Sequence, residues 1–107
     1  MSIFLTFLLD SPKITLRPKN YTVRFGDTGN NRIDLICNAK GKPNLIQWRW
    51  RKKRLDGVID DLSRTTNNYP IPVPNKDDNG IYMCQPINSV GSGEIAQATV
   101  VVKCELL

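Results

Sequence analysis

The sequence predicts an all-β chain folded as a sandwich or small barrel, and three observations carry that prediction. Apolar and polar residues alternate with period two through most of the chain, and no window places apolar residues at i, i+3, i+4 and i+7 over three turns. The alternating segments are also short, with turn-forming clusters about every eight to twelve residues. A chain of 107 residues accommodates one domain with one core. At that size the core is only marginally sufficient, so a covalent brace raises stability usefully. Cys37, Cys84 and Cys104 permit at most one internal pair and leave one thiol over, a usage that points outside the cytosol.

The elements follow in order. Ile14–Leu16 and Tyr21–Val23 are short strands separated by Pro18, whose missing amide suits a sheet edge or a change of sheet. Residues 26–31, GDTGNN, make a turn, and Arg32–Ala39 forms a strand with Ile33, Leu35, Cys37 and Ala39 on one face. Gly41–Asn44 turns into a strand over Leu45–Arg51, in which Ile46, Trp48 and Trp50 oppose Gln47, Arg49 and Arg51. The polar stretch Lys52–Asn68 holds two weak strands, near residues 57–59 and 62–65. Tyr69–Val73 alternates, Asp77–Gly80 turns, Ile81–Ile87 is a strand, and Asn88–Gly93 leads into a last strand, Ile95–Lys103. Pro70, Pro72 and Pro74 share one phase, so amides are missing toward one neighbour. The Tyr69 segment is therefore expected to pair on one side only, with Tyr69, Ile71 and Val73 facing the core.

Cys37, Trp48 and the run Asp78-Asn79-Gly80-Ile81-Tyr82-Met83-Cys84, of the form D-x-G-x-Y-x-C, together resemble the immunoglobulin superfamily. The resemblance implies a two-sheet antiparallel Greek-key sandwich in which Cys37 and Cys84 bridge the sheets. Trp48 packs on that bridge, and Tyr82 returns its hydroxyl to nearby backbone in a tyrosine corner. Closing so long a loop contributes about 4 kcal/mol by the chain-entropy estimate. The distance from Trp48 to Asp78 leaves too little chain for the two additional strands of variable-type domains, so the chain resembles the shorter I-set kind. The domain is expected over residues 11–103, with 104–107 as a C-terminal linker. The apolar opening, MSIFLTFLL, lacks a basic start and a small-residue cleavage signal and is too short to span a bilayer. Residues 1–10 are read as a flanking segment: a signal-peptide remnant, a misread gene start or the linker from a preceding domain.

The functional reading is of a binding module and not an enzyme. With no histidine, the commonest general base and zinc ligand is missing, and no nucleophile, base and oxyanion set is visible. No cofactor is implied. The adjacent pairs Asp60-Asp61 and Asp77-Asp78 diverge, and no metal is assigned. If Trp48 and Cys84 point inward, Leu45, Gln47, Arg49 and Arg51 point outward, as do Ile81, Met83, Gln85 and Ile87. That mixed basic and apolar face is the candidate binding face, since Arg and Met are enriched at interfaces. In the resembling family this sheet is often adhesive. The net charge of +5 favours acidic partners, and Arg51, Lys52, Lys53 and Arg54 form a candidate patch for a sulfated glycan or other anion. With Trp48 and Trp50 in the core no base-stacking platform remains, so nucleic acid is not expected. Asn20-Tyr21-Thr22 is the one N-glycosylation acceptor, and with ten asparagines one match is expected by chance. Cys104 is read as an end effect, with an intermolecular partner as the alternative.

The resemblance thus implies an extracellular, cell-surface module of a modular adhesion receptor or matrix protein. It would bind protein, self or non-self, and be held at the membrane only by an anchor outside this segment. The alternatives are an intracellular sarcomeric or cytoskeletal spacer domain and a heparan-sulfate-binding receptor domain.

Overall fold

The computed structural model describes residues 9–25 and 31–104, without the side chains of Phe25 and Cys104. The flanking residues 1–8, the expected turn at 26–30 and the thiol of Cys104 lie outside the described residues.

Among the described residues nine strands follow one another: β1 (Asp10–Leu16), β2 (Tyr21–Phe25), β3 (Ile33–Ile36), β4 (Asn38–Lys42), β5 (Gln47–Lys53), β6 (Ile59–Asp61), β7 (Asn68–Ile71), β8 (Gly80–Ile87) and β9 (Ala96–Cys104). One layer is a five-stranded sheet in the order β2-β9-β8-β5-β6; the other consists of the pairs β1-β4 and β3-β7. This is the expected all-β sandwich. Pro18 is buried in the gap between β1 and β2. Without an amide it cannot extend either ladder, and there the chain crosses from one layer to the other. Having crossed, β2 runs parallel to β9, with Tyr21 beside Val100 and Val23 beside Val102. Every other ladder is antiparallel.

The single strand expected over Arg32–Ala39 is divided at Cys37. β3 pairs with β7, while β4 pairs with β1 and continues to Lys42, into the expected turn. The Cys37 amide still reaches the β7 side, donating to the Asn67 carbonyl at 2.9 Å. Residues two apart point their amides the same way, so Tyr69 and Ile71 face β3 and Pro70 faces the free side. Among the described residues β7 pairs with β3 alone, in keeping with the missing amide of Pro70 on the free side. Ile71 is buried and Tyr69 packs on the core, but Val73 does not face inward: it is 80% exposed. β7 ends at Ile71, and beyond the strand the period no longer fixes direction.

Two further expectations change between β5 and β7. β6 is a short extra strand beside β5, with Arg51 opposite Asp61 and Lys53 opposite Ile59. Residues 62–65 form no strand. They follow the β5 edge instead, Leu62 N donating to Trp50 O at 3.0 Å and Trp48 N to Thr65 O at 3.1 Å. The chain reaches β7 without a strand on its far side, which frees enough residues for β6.

The core lies between the layers. Ile33, Leu35 and Cys37 come from one side, and Trp50, Tyr82, Cys84, Ala96, Ala98 and Val100 from the other; all are essentially inaccessible. Burying each larger aliphatic or aromatic group contributes about 1.5–3 kcal/mol. Cys37 and Cys84 are joined across the layers with Cα atoms 6.8 Å apart. The tryptophan opposite Cys84 is Trp50, while Trp48, given that place by the sequence resemblance, lies opposite Pro86. Trp48 lines an open hollow with Ile46 and Thr65. Both indoles have the inward phase, so alternation could not separate them; register did.

Candidate functional site

The site rests on a rigid corner. A one-turn 3₁₀ helix, Lys76–Asp78, precedes β8 and is closed at its start by Asn75, whose side chain accepts from Asp77 N while Asp78 accepts from Asn75 N. Tyr82 donates its hydroxyl to the Asp78 carbonyl at 2.7 Å, which fixes the entry of β8. Burial, helped by the Asp78 carboxylate, pushes this phenol far above its ordinary range. Asn79 accepts from Val102 N at 2.7 Å and donates to Lys76 O at 2.8 Å, tying the corner to β9. Gly80 sits where a Cβ would come 2.7 Å from the Lys53 carbonyl. Asp78, Gly80 and Tyr82 therefore set the register of β8 against β5.

Asn88 does similar work at the other end, and the sequence reading missed it. Only 8% exposed, it donates to Asp10 O at 2.9 Å and Pro43 O at 3.0 Å and accepts from Val90 N and Gly91 N. One side chain thus joins β1, the β4–β5 turn and the β8–β9 turn. An asparagine in a turn reads only as a turn former; its long-range partners have no sequence signal.

Between these ends β5 and β8 present one outward face. The register sets Gln47 beside Ile87, Arg49 beside Gln85, Arg51 beside Met83 and Lys53 beside Ile81. The face continues across β9 through Gln97 beside Met83 and Thr99 beside Ile81. A cationic row on β5 therefore runs along a mostly apolar row on β8. Among the described residues, Arg49, Arg51 and Lys53 form no ion pair. Gln85 is committed to the β8–β9 turn, donating to Gly93 O at 3.1 Å. Leu45 stands apart from the ladder, in the turn before β5 and 82% exposed. At the Lys53 end the face opens into a hollow of about 330 Å³ lined by Ile81, Thr99, Val101 and Leu55.

The run Arg51–Arg54 is not gathered into one patch. Arg51 and Lys53 share the outward face, whereas Lys52 points the other way, with Nζ 5.4 Å from the Tyr82 ring centroid and donating to the Asp77 carbonyl. Arg54 pairs with Asp60 through two bonds, at 2.6 and 2.8 Å. That hydrogen bonding, reinforced by their opposite charges, holds Asp60 below the usual carboxylate range and raises Arg54. Period-two alternation divides consecutive cations between faces, and Gly57, at φ +90°, closes the turn that brings Asp60 back to Arg54.

Asn20 lies exposed just before β2, its Oδ1 accepting from Thr99 N at 2.9 Å. Among the described residues, no group of three or more metal-ligating side chains converges.

Two layers joined through the core by Cys37–Cys84, with a tyrosine corner at the entry of β8, define a domain of the immunoglobulin type. The immunoglobulin domain family model matches residues 11–102, and the chain belongs to that family. Over 60 residues, 53% of this chain and 13% of the relative, it is 42% identical to Cell adhesion molecule 2 of Xenopus tropicalis. The chain thus corresponds to a small part of that relative. Among solved structures, the tandem Ig repeats of Dlar superpose on 90% of this chain and 48% of theirs, with TM-score 0.68 and 24% identity. The N-terminal four Ig domains of Dscam1 isoform 9.44 superpose on 91% of this chain and 25% of theirs, with TM-score 0.70 and 19% identity. At such identities the solved structures establish the fold, and the Xenopus relative connects the chain to cell-adhesion molecules.

Proposed function

We propose that this domain is an extracellular protein-recognition module that docks through the outer face of β5 and β8 onto an acidic, partly apolar surface of another protein. The observation that carries the reading is the row Arg49, Arg51, Lys53, without an ion pair among the described residues, alongside the half-buried row Ile81, Met83, Ile87. Cations supply steering and register, and the apolar row supplies area that gains by leaving water. The kinship with a cell-adhesion molecule supports this use of the fold. The disulfide supports an oxidising location, since such bonds seldom persist in the cytosol, and so favours it over an intracellular spacer.

Charge also bears on the choice between self and non-self. In a two-fold symmetric pair the same patch meets itself. Among the described residues, Arg49, Arg51, Lys53 and Lys103 lie on this face with Asp61 as the one acidic group, so a face-to-face homodimer brings like charges together. The partner is therefore heterophilic. A sulfated glycan would match the charge but leave Ile81, Met83 and Ile87 without a role.

The test is binding of the labelled, secreted chain to a panel of cells, with Arg49→Glu/Arg51→Glu and Met83→Glu as variants. Binding should vanish after cell-surface proteolysis and in both variants, and survive heparinase. Binding indifferent to the variants would refute the face, and loss under heparinase would favour the glycan reading.

A further inference from the structure

We infer that Asn20 is a site of N-linked glycosylation and that its glycan stands at the β2 edge of the outer face, across the sheet from the β5 cations. The tripeptide Asn20-Tyr21-Thr22 alone carries little weight, because one such match is expected by chance. Its placement carries more. Asn20 and Thr22 are exposed, while Tyr21 between them is turned inward and donates to Asp34 O. Both acceptor side chains thus project to solvent from the start of a strand whose other edge is unpaired among the described residues.

The amide is also held in a usable way. Its Oδ1 is engaged by Thr99 N, whereas its Nδ2, the atom that is glycosylated, makes no hydrogen bond among the described residues. Asn67, Asn79 and Asn88 differ: each spends Nδ2 on backbone carbonyls. In the reaction, the bond from Nδ2 to the sugar C1 forms as the bond from C1 to a lipid diphosphate oxygen breaks. The lipid diphosphate leaves, and the amide gives up one proton. The product keeps the carbonyl oxygen, so the bond from Thr99 survives and anchors the glycan stem.

Position gives the modification a consequence, and this part rests on the recognition reading above. β2 and β5 are separated by β9 and β8, a span of about 14 Å at the usual strand spacing. A glycan at Asn20 occupies the β2 side, and the partner approaches from the β5–β6 side.

The whole chain, directed into the secretory pathway of cultured animal cells, is examined by intact mass before and after peptide-N-glycosidase in heavy-oxygen water. One glycan should be released, leaving labelled aspartate at position 20. Thr22→Val should abolish it and Thr22→Ser retain it, both leaving the Asn20 to Thr99 bond in place. A secreted wild-type chain without glycan, or a glycan persisting in Thr22→Val, overturns the site. Enzymatic deglycosylation should leave cell binding unchanged, and loss of binding would overturn the placement. If no cell binds the chain at all, the recognition reading fails while the mass measurement still decides the site.

Discussion

The two layers of this domain share one core but are built differently. The layer β2-β9-β8-β5-β6 is one continuous ladder, whereas its counterpart consists of two pairs, β1-β4 and β3-β7, meeting at Cys37. The first keeps its register through backbone pairing along its whole width. The second depends on the core, on the bridge to Cys84 and on side chains such as Asn67, which donates to Cys37 O at 3.1 Å. The candidate recognition face lies on the continuous layer. A surface that must present cations in fixed order needs a frame whose register cannot slip, and the interrupted layer offers none.

Removing the bridge should expose that difference most strongly. With 47 residues separating the cysteines, Cys37→Ala with Cys84→Ala is expected to cost about 4 kcal/mol in denaturant unfolding. Amide exchange should quicken in β3 and β7 before β8 and β9; uniform acceleration would show that the layers are not unequal in this way. Next comes Gly80→Ala. A methyl group there meets the Lys53 carbonyl and should cost about 1–3 kcal/mol by disturbing the β5–β8 register, read as shifted amide resonances along the cationic row.

Tyr82→Phe removes the bond to Asp78 O and should cost about 1 kcal/mol near neutral pH. It also changes the alkaline limb. The folded phenol keeps its proton well above the ordinary value of 10.0, while the unfolded chain releases it there. Wild-type stability should therefore be insensitive to this group below about pH 10 and fall above it, by at most about 1.4 kcal/mol per pH unit. The variant should show a shallower fall in alkaline denaturation, and an equal slope would place the titration elsewhere. The smallest stability effect is expected from Arg49→Glu/Arg51→Glu: within about 1 kcal/mol, most of it from the like charge that Arg51→Glu sets opposite Asp61, alongside loss of partner binding. A large drop in melting temperature would mean that these cations hold the sheet together.

Legibility in the sequence followed the same division. The inward phases of Ile33, Leu35, Cys37, Tyr82 and Cys84 were all readable, because alternation is a property of each strand by itself. The one-sided pairing of β7 was readable too, since a missing amide is written in the residue type. Trp48 was chosen over Trp50 because the two share a phase, and only pairing with β8 shows which lies opposite Cys84. Val73 was placed inward by extending the alternation past the end of its strand. The cation run was read as one patch although its members alternate; the return of Asp60 to Arg54 depends on the turn at Gly57 and on β6, a short polar strand expected two residues earlier, near 57–59.

The sequence by itself determined that the chain is an all-β sandwich, which strand faces turn inward, and that two cysteines and a tyrosine corner mark an immunoglobulin domain. Tertiary structure alone decided where the strand through Cys37 changes partner, which tryptophan lies opposite Cys84, and which cations share the outer face. Side-chain direction follows from the local backbone repeat, but partnership and register are set by contacts between residues far apart in the chain, where no local pattern records them.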